Sequence, residues 1–214
     1  MSRPAARRAA RPRDGYHHGD LRRALLDAAR RVLAEAGPEG CSLREVARRA
    51  GVSHAAPYHH FSSREALLGA LAAEGYQALD RAMAEAQAAA PSDPAAQLVA
   101  VGMGYFLLAQ RQPALFRLMI RPEHLAPPAP APTPPAARAG DPPACLGPSA
   151  RLHEVLGRLL GRPAGEAEAH LCWATVHGLS LLALDGGLGV APGALAGHAR
   201  QVISLLAEGL GRGR

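Results

Sequence analysis

Apolar side chains recur at intervals of three and four along most of this chain, and no stretch alternates as a half-buried strand would. Leu21, Leu25, Ala28, Val32 and Leu33 form the first stripe, which predicts a helix from about Asp20 to Ala36 with Gly37 as its stop. Leu43, Val46, Ala47 and Ala50 form a second stripe, opposite Arg44, Arg48 and Arg49. Ser42 and Glu45 stand ahead of it at capping-box spacing: the Ser42 hydroxyl can accept from the Glu45 N–H while the Glu45 side chain reaches back to the Ser42 N–H. Gly51 is suited to end this helix, and Ser53 to cap the next, from about His54 to Phe61. Pro57 falls fourth in that helix and removes only its first intrahelical hydrogen bond, so a short helix with a bent first turn is expected.

The pattern continues with Ser62 and Glu65 at the same capping spacing, ahead of a helix from Arg64 to about Ala88. That helix is apolar early, at Leu67, Leu68 and Leu71, then rich in alanine, as a connector between two units would be. Asp93-Pro94 supplies a cap and a first-turn proline for a helix to about Arg111, and Pro113 to Ile120 forms a shorter one. Residues 122–148 hold ten of the 19 prolines and read as a flexible loop. Three more helices are predicted, at about Ser149–Leu160, Gly165–Asp185 and Pro192–Leu210. Leu171, Trp173, Ala174, Val176, Leu179, Leu181, Leu182 and Leu184 almost encircle the second of these, and Leu195, Val202, Leu205, Leu206 and Leu210 line the third. Helices apolar on most sides must be covered on most sides, which predicts a homodimer through residues 165–185 and 192–210. The expected fold is all-α with about nine helices: a basic arm at residues 1–16, a three-helix helix-turn-helix unit at 17–70, and a larger helical unit at 71–214.

Composition agrees: aromatic residues make up only 4% of the chain, too few for a β-sandwich core. Charge is more informative. Residues 1–70 carry 13 arginines against 7 acidic residues, whereas residues 71–214 carry 11 against 11, so the whole net charge of +6 lies in the first third. That asymmetry is the footprint of a nucleic-acid face and predicts salt-sensitive binding. Three scattered cysteines exclude a disulfide framework and point to a reducing cytoplasm. The N-terminus has no apolar signal core, and no run reaches the ~18 apolar residues of a membrane helix.

A helix-turn-helix sends the early residues of its second helix to base edges in the major groove and its later ones to phosphates. The candidate DNA contacts are therefore Ser42, Arg44, Ser53, His54, Ala55, Tyr58, His59, His60 and Arg64. The arm is either a solvated tail or a minor-groove reader, with Arg7 and Arg8 as its contacts. HHGDLR at 17–22, SLREVARRAGVS at 42–53 and PYHHFSSREALL at 57–68 together resemble the N-terminal domain of TetR-family transcriptional regulators. The resemblance implies phosphate contacts from Tyr58 and Arg64. The chain departs from the pattern at Pro57, where an aliphatic residue is usual, and at Arg64, where lysine is commoner.

In the second half, WATVHGL at 173–179 and QPALFRLM at 112–119 resemble the effector domain of a TetR-family branch marked by a Trp-x-x-x-His-Gly motif. The resemblance implies a ligand-responsive dimer without naming the ligand. Trp173 and His177, four residues apart, share a helical face. They are either a buried packing pair or anchors of an effector pocket, and Tyr105, Phe106, Phe116 and Met119 carry the same two readings. Ten histidines make no closed metal site by spacing, no cofactor is implied, and GxSxG, HExxH and phosphate-cradling glycine loops are absent. The expected function is a cytoplasmic, dimeric DNA-binding regulator, a repressor released from a palindromic double-stranded operator by a small apolar effector. The alternatives are an activator or architectural DNA binder without a ligand and, more remotely, a small-molecule enzyme.

Overall fold

The computed structural model describes residues 18–121 and 147–212. Every regular element among them is helical: α1 (His18–Gly40), α2 (Leu43–Ala50), a 3-10 turn (Ala56–His59), α3 (Arg64–Ala88), α4 (Pro94–Arg111), α5 (Pro113–Met119), α6 (Gly147–Leu160), α7 (Glu166–Leu184), a 3-10 turn (Pro192–Ala194) and α8 (Leu195–Arg212). The basic arm with Arg7 and Arg8, and most of the proline-rich segment, lie outside the described residues. Gly147 and Pro148, expected to close that loop, instead open α6.

The first unit closes over one apolar core. Leu25, Leu26, Val32 and Leu33 of α1 meet Val46 of α2, Phe61, and Leu67 and Leu71 of α3. Helix α1 turns out of helical geometry at Gly37, the predicted stop. Helix α2 is capped as expected on one side, with Glu45 N–H donating to Ser42 Oγ at 3.2 Å. The reciprocal half of the capping box is not made: Ser42 N–H donates to the Gly40 carbonyl, and the Glu45 carboxylate is occupied by Arg48 and Arg49. Gly51 ends α2 with φ of 70°, a conformation that an L side chain strains to reach. Helix α3 is capped by Ser63, not Ser62, with Ala66 N–H donating to Ser63 Oγ at 3.2 Å.

The expected recognition helix is a single 3-10 turn. An α-helix there would need an N–H at position 57 to donate to the Ser53 carbonyl, and proline has none. That carbonyl takes the Ala56 N–H instead, at 3.0 Å and one residue closer. Ser53 does not cap the turn: its N-cap is Ala55, without a side-chain hydrogen bond. This accounts for the difference from nine expected α-helices to eight among the described residues.

In the second unit α4 is central, packing on α3, α6, α7 and α8. Asp93 caps it as the sequence predicts, accepting from Ala96 N–H at 2.8 Å. The crossing with α3 is close because position 104 is glycine: a Cβ there would lie 2.7 Å from the Ala82 carbonyl oxygen. A buried ion pair fastens α6 to α3, with Arg151 donating through Nε and Nη2 to Asp80 Oδ1 and through Nη1 to Gln87.

Helix α5 belongs to both units. Its Leu115 and Leu118 complete the first core, and Phe116 and Met119 enter the second. Two neighbouring faces of one seven-residue helix thus fill two cores. The outer faces of α7 and α8 remain uncovered in the single chain, leaving Leu171 and Leu182 each 49% exposed and Leu205 62% exposed.

Candidate functional site

Two regions concentrate chemistry. The first is the outer surface of the helix-turn unit. Buried Pro57 and Phe61 anchor the 3-10 turn from below, and Tyr58 projects from it with 60% of its surface exposed. Ser53, His54, Ala55 and His59 are exposed around it, and Arg44 is exposed on α2 with no acidic partner among the described residues. Ser42 is half-buried and engaged as the α2 cap.

Two predicted contacts are placed differently. His60 Nε2 is buried without a hydrogen-bond partner, so its ring does not present that nitrogen outward. Arg64 folds back, donating to the Pro38 carbonyl at 2.7 Å and lying 3.4 Å from Glu39. Arg48 and Arg49 are held by acids, Arg48 by Glu45 and Arg49 by Glu35 and Glu45. Arg48, and then Arg49, holds the Glu45 carboxyl down at a pKa of about 2. These pairs neutralise part of the basic face and leave Arg44 as the cation on α2 without an acidic partner.

The second region is a cavity of about 360 Å³ inside the second unit. Leu79, Met83, Leu98, Val101, Ile203 and Leu206 supply apolar wall, and Ser149, His153, Glu166 and His170 supply polar edge. Of the residues singled out from sequence, Tyr105, Met119 and Trp173 line it. Phe106 and Phe116 do not: they are fully buried in the surrounding core. His177 stands behind Tyr105, with the Tyr105 hydroxyl and His177 Nδ1 hydrogen-bonded at 2.8 Å.

The protonation states follow from this packing. Burial raises the Tyr105 pKa well above its ordinary value, with a hydrogen bond from the Trp173 indole opposing the shift. Burial lowers the His177 pKa below 6.5. An indole N–H can only donate, so in the Trp173–Tyr105 contact the phenolic oxygen is the acceptor. The indole and imidazole rings lie 5.1 Å apart, and Phe116 packs 5.9 Å from the imidazole and edge-on to Tyr105. This cluster ties α4, α5 and α7 together at the cavity wall.

Sequence reasoning missed Tyr76, which also lines the cavity and donates to the Met119 carbonyl at 3.0 Å. It missed the polar edge as well, because His153 and Glu166 lie on different helices and no local spacing joins them. Cys172 borders the cavity with its thiol pKa pushed up to about 11 by burial, so it stays protonated. Among the described residues, no group of three or more His, Cys, Asp or Glu is placed to hold a metal ion, and no helix is long and apolar enough to cross a membrane.

Comparison with known proteins places both regions. Residues 25–71 match the family described as "Bacterial regulatory proteins, tetR family", and residues 98–206 match "Tetracyclin repressor-like, C-terminal domain". Among curated relatives, the HTH-type transcriptional regulator BetI of Rhizobium meliloti is 49% identical over 47 residues, covering 22% of this chain and 23% of that protein. The HTH-type transcriptional repressor AcnR of Corynebacterium diphtheriae is 41% identical over 64 residues, covering 30% and 34%. The chain thus aligns with only about a quarter to a third of the length of these relatives. Among solved structures, a protein described as of unknown function from Rhodococcus sp. RHA1 is 32% identical, with 94% of this chain and 98% of that one covered and a TM-score of 0.69. FadR of Bacillus subtilis, solved with stearoyl-CoA, shares the fold at 18% identity and a TM-score of 0.61, with 87% and 98% covered.

Proposed function

The chain belongs to the tetR family of bacterial regulatory proteins, and we propose that it is a cytoplasmic, homodimeric, ligand-released repressor of a palindromic DNA operator rather than an enzyme. Residues 17–70 form its reading head and residues 71–214 its effector and dimer unit, of the branch with the Trp-x-x-x-His-Gly signature. The observation that carries the reading is the rigidly backed turn that exposes Tyr58 beside His54, His59 and Arg44, the α2 cation without an acidic partner among the described residues. Tyr58 and Arg44 bind phosphate, His54 and Ala55 face base edges, and Arg64 reaches phosphate only by leaving the Pro38 carbonyl. Arg7 and Arg8 of the arm add phosphate contacts.

The uncovered apolar faces of α7 and α8 support dimerisation, since Leu171, Leu182 and Leu205 are large exposed apolar side chains that a second copy would cover. The dimer holds two heads about 34–36 Å apart, or a multiple of that spacing. The cavity receives the effector, and α5 carries its effect. An occupant that displaces Met119 must also move Leu115 and Leu118 against α1, and so tilts the head.

The test is fluorescence anisotropy on DNA from the protein's own promoter. Arg44→Ala with Tyr58→Phe is expected to weaken binding at least about tenfold, with the thermal transition unchanged. The slope of log affinity on log salt should become shallower by about 0.9 for each phosphate no longer neutralised. Unchanged affinity overturns the assignment of the reading head.

A further inference from the structure

We propose that the cavity takes a cationic amphiphile, an ammonium group at the mouth beside Glu166 with its hydrocarbon body among Leu79, Met83, Val101 and Ile203. The proposal rests on the reading of this cavity as the effector site and adds the charge of what enters it.

The electrostatics of the lining favour a cation. In a chain with 24 arginines, no arginine among the described residues lines the cavity, and Glu166 is the one formally charged residue among them that does. Arg151, two positions from the lining residue Ser149, sends its guanidinium to Asp80 and Gln87 instead. Two imidazoles stand beside the carboxylate. His153 Nδ1 lies 3.0 Å from the Ser149 carbonyl, which can only accept, so this nitrogen carries the proton. His153 Nε2 lies 3.6 Å from Glu166 Oε1. His170 flanks the other carboxylate oxygen at 3.7 Å.

The walls are consistent with that occupant. Tyr76, Tyr105 and Trp173 border the cavity, and aromatic faces attract ammonium groups through their quadrupoles. An anionic head meets the Glu166 carboxylate at the mouth. The N-terminus of α7 at the mouth already has its Gly165 N–H donated to the Glu168 carboxylate at 2.6 Å. The volume of about 360 Å³ equals about 12 waters at ~30 Å³ each, room for a medium-length hydrocarbon chain or a small polycyclic body.

The experiment uses three probes with one tail, decyltrimethylammonium, decanol and decanoate, each below its micelle concentration. The 214-residue chain is titrated by following the emission of Trp173, its only tryptophan. The ammonium probe is expected to bind about tenfold tighter than the alcohol, with the carboxylate weakest. Glu166→Gln should bring the ammonium probe to within about threefold of the alcohol; the side chain is 78% exposed, so folding is not at stake. Equal binding of all three, tightest binding of decanoate, or an ammonium advantage that survives Glu166→Gln overturns the charge assignment while leaving the cavity an effector site. Failure of all three to bind overturns the effector site as well.

Discussion

The two units are built from the same helix-forming residues and solve packing in opposite ways. The head fills its core: Leu25, Val46, Leu67 and Leu71 are each 0% exposed. Its surface charges are drawn into pairs such as Arg30 with Asp27 and Glu74. The larger unit keeps a hollow beside α4, buries a Tyr105–His177 hydrogen bond at its wall, and leaves leucines of α7 and α8 open to water. On the proposed reading, a filled core suits a head that holds one shape against DNA. A hollow with an uncovered apolar face suits a part that is completed by other molecules.

The most demanding test of that contrast uses the helix common to both. Phe116→Ala should cost about 3–5 kcal/mol and Leu118→Ala about 2–5 kcal/mol, the first opening the larger core and the second the head. Because α5 joins the cores, both substitutions are expected to lower one cooperative thermal transition; two transitions that move separately would show that the units fold independently. Tyr105→Phe should follow, at about 1–3 kcal/mol, since it strips a buried hydrogen bond from His177 and the indole. Chemical denaturation measures it, and a Trp173 emission shift identifies the affected wall. Ser42→Ala should cost about 1 kcal/mol through removal of the cap, with faster amide exchange in the first turn of α2 and none of it spreading to α4.

The smallest expected effect is one of pH. Burial lowers the His177 pKa in the folded chain, so the unfolded chain takes up that proton first as pH falls. The contribution is intact above the unfolded pKa near 6.5 and is lost as pH drops through the folded value. Stability should therefore fall as the pH drops below about 7, and His177→Gln should reduce the slope. An unchanged slope would remove His177 from the account.

What could be read from sequence was what local chemistry decides. Gly37, Gly51 and the Asp93-Pro94 pair mark helix ends because backbone conformation and capping at those points depend on immediate neighbours. Pro57 was legible as a defect but not in its consequence, because the choice between a bent α-turn and a 3-10 turn rests on which N–H claims the Ser53 carbonyl. Ser62 and Ser63 are chemically equal caps, and the angle at which the chain enters α3 selects the second. The Glu45 return bond failed because Arg48 and Arg49 compete for the same carboxylate. In the larger unit, Tyr105 faces the cavity and Phe106, about 100° further round α4, faces the core. That difference of one residue is set by what packs against the helix, and the mouth joins residues that only the tertiary fold brings together.

Because α5 serves both cores, regulators of this build do not recombine cleanly at the boundary between their units. A graft that exchanged only the segment before residue 72 for the reading head of a relative would leave Leu115 and Leu118 behind, shaped for the core they came from. The transplanted head would inherit two foreign side chains in its interior. On the proposed reading, new operator specificity in this scaffold is therefore more readily gained by altering exposed positions around Tyr58 than by swapping the head whole.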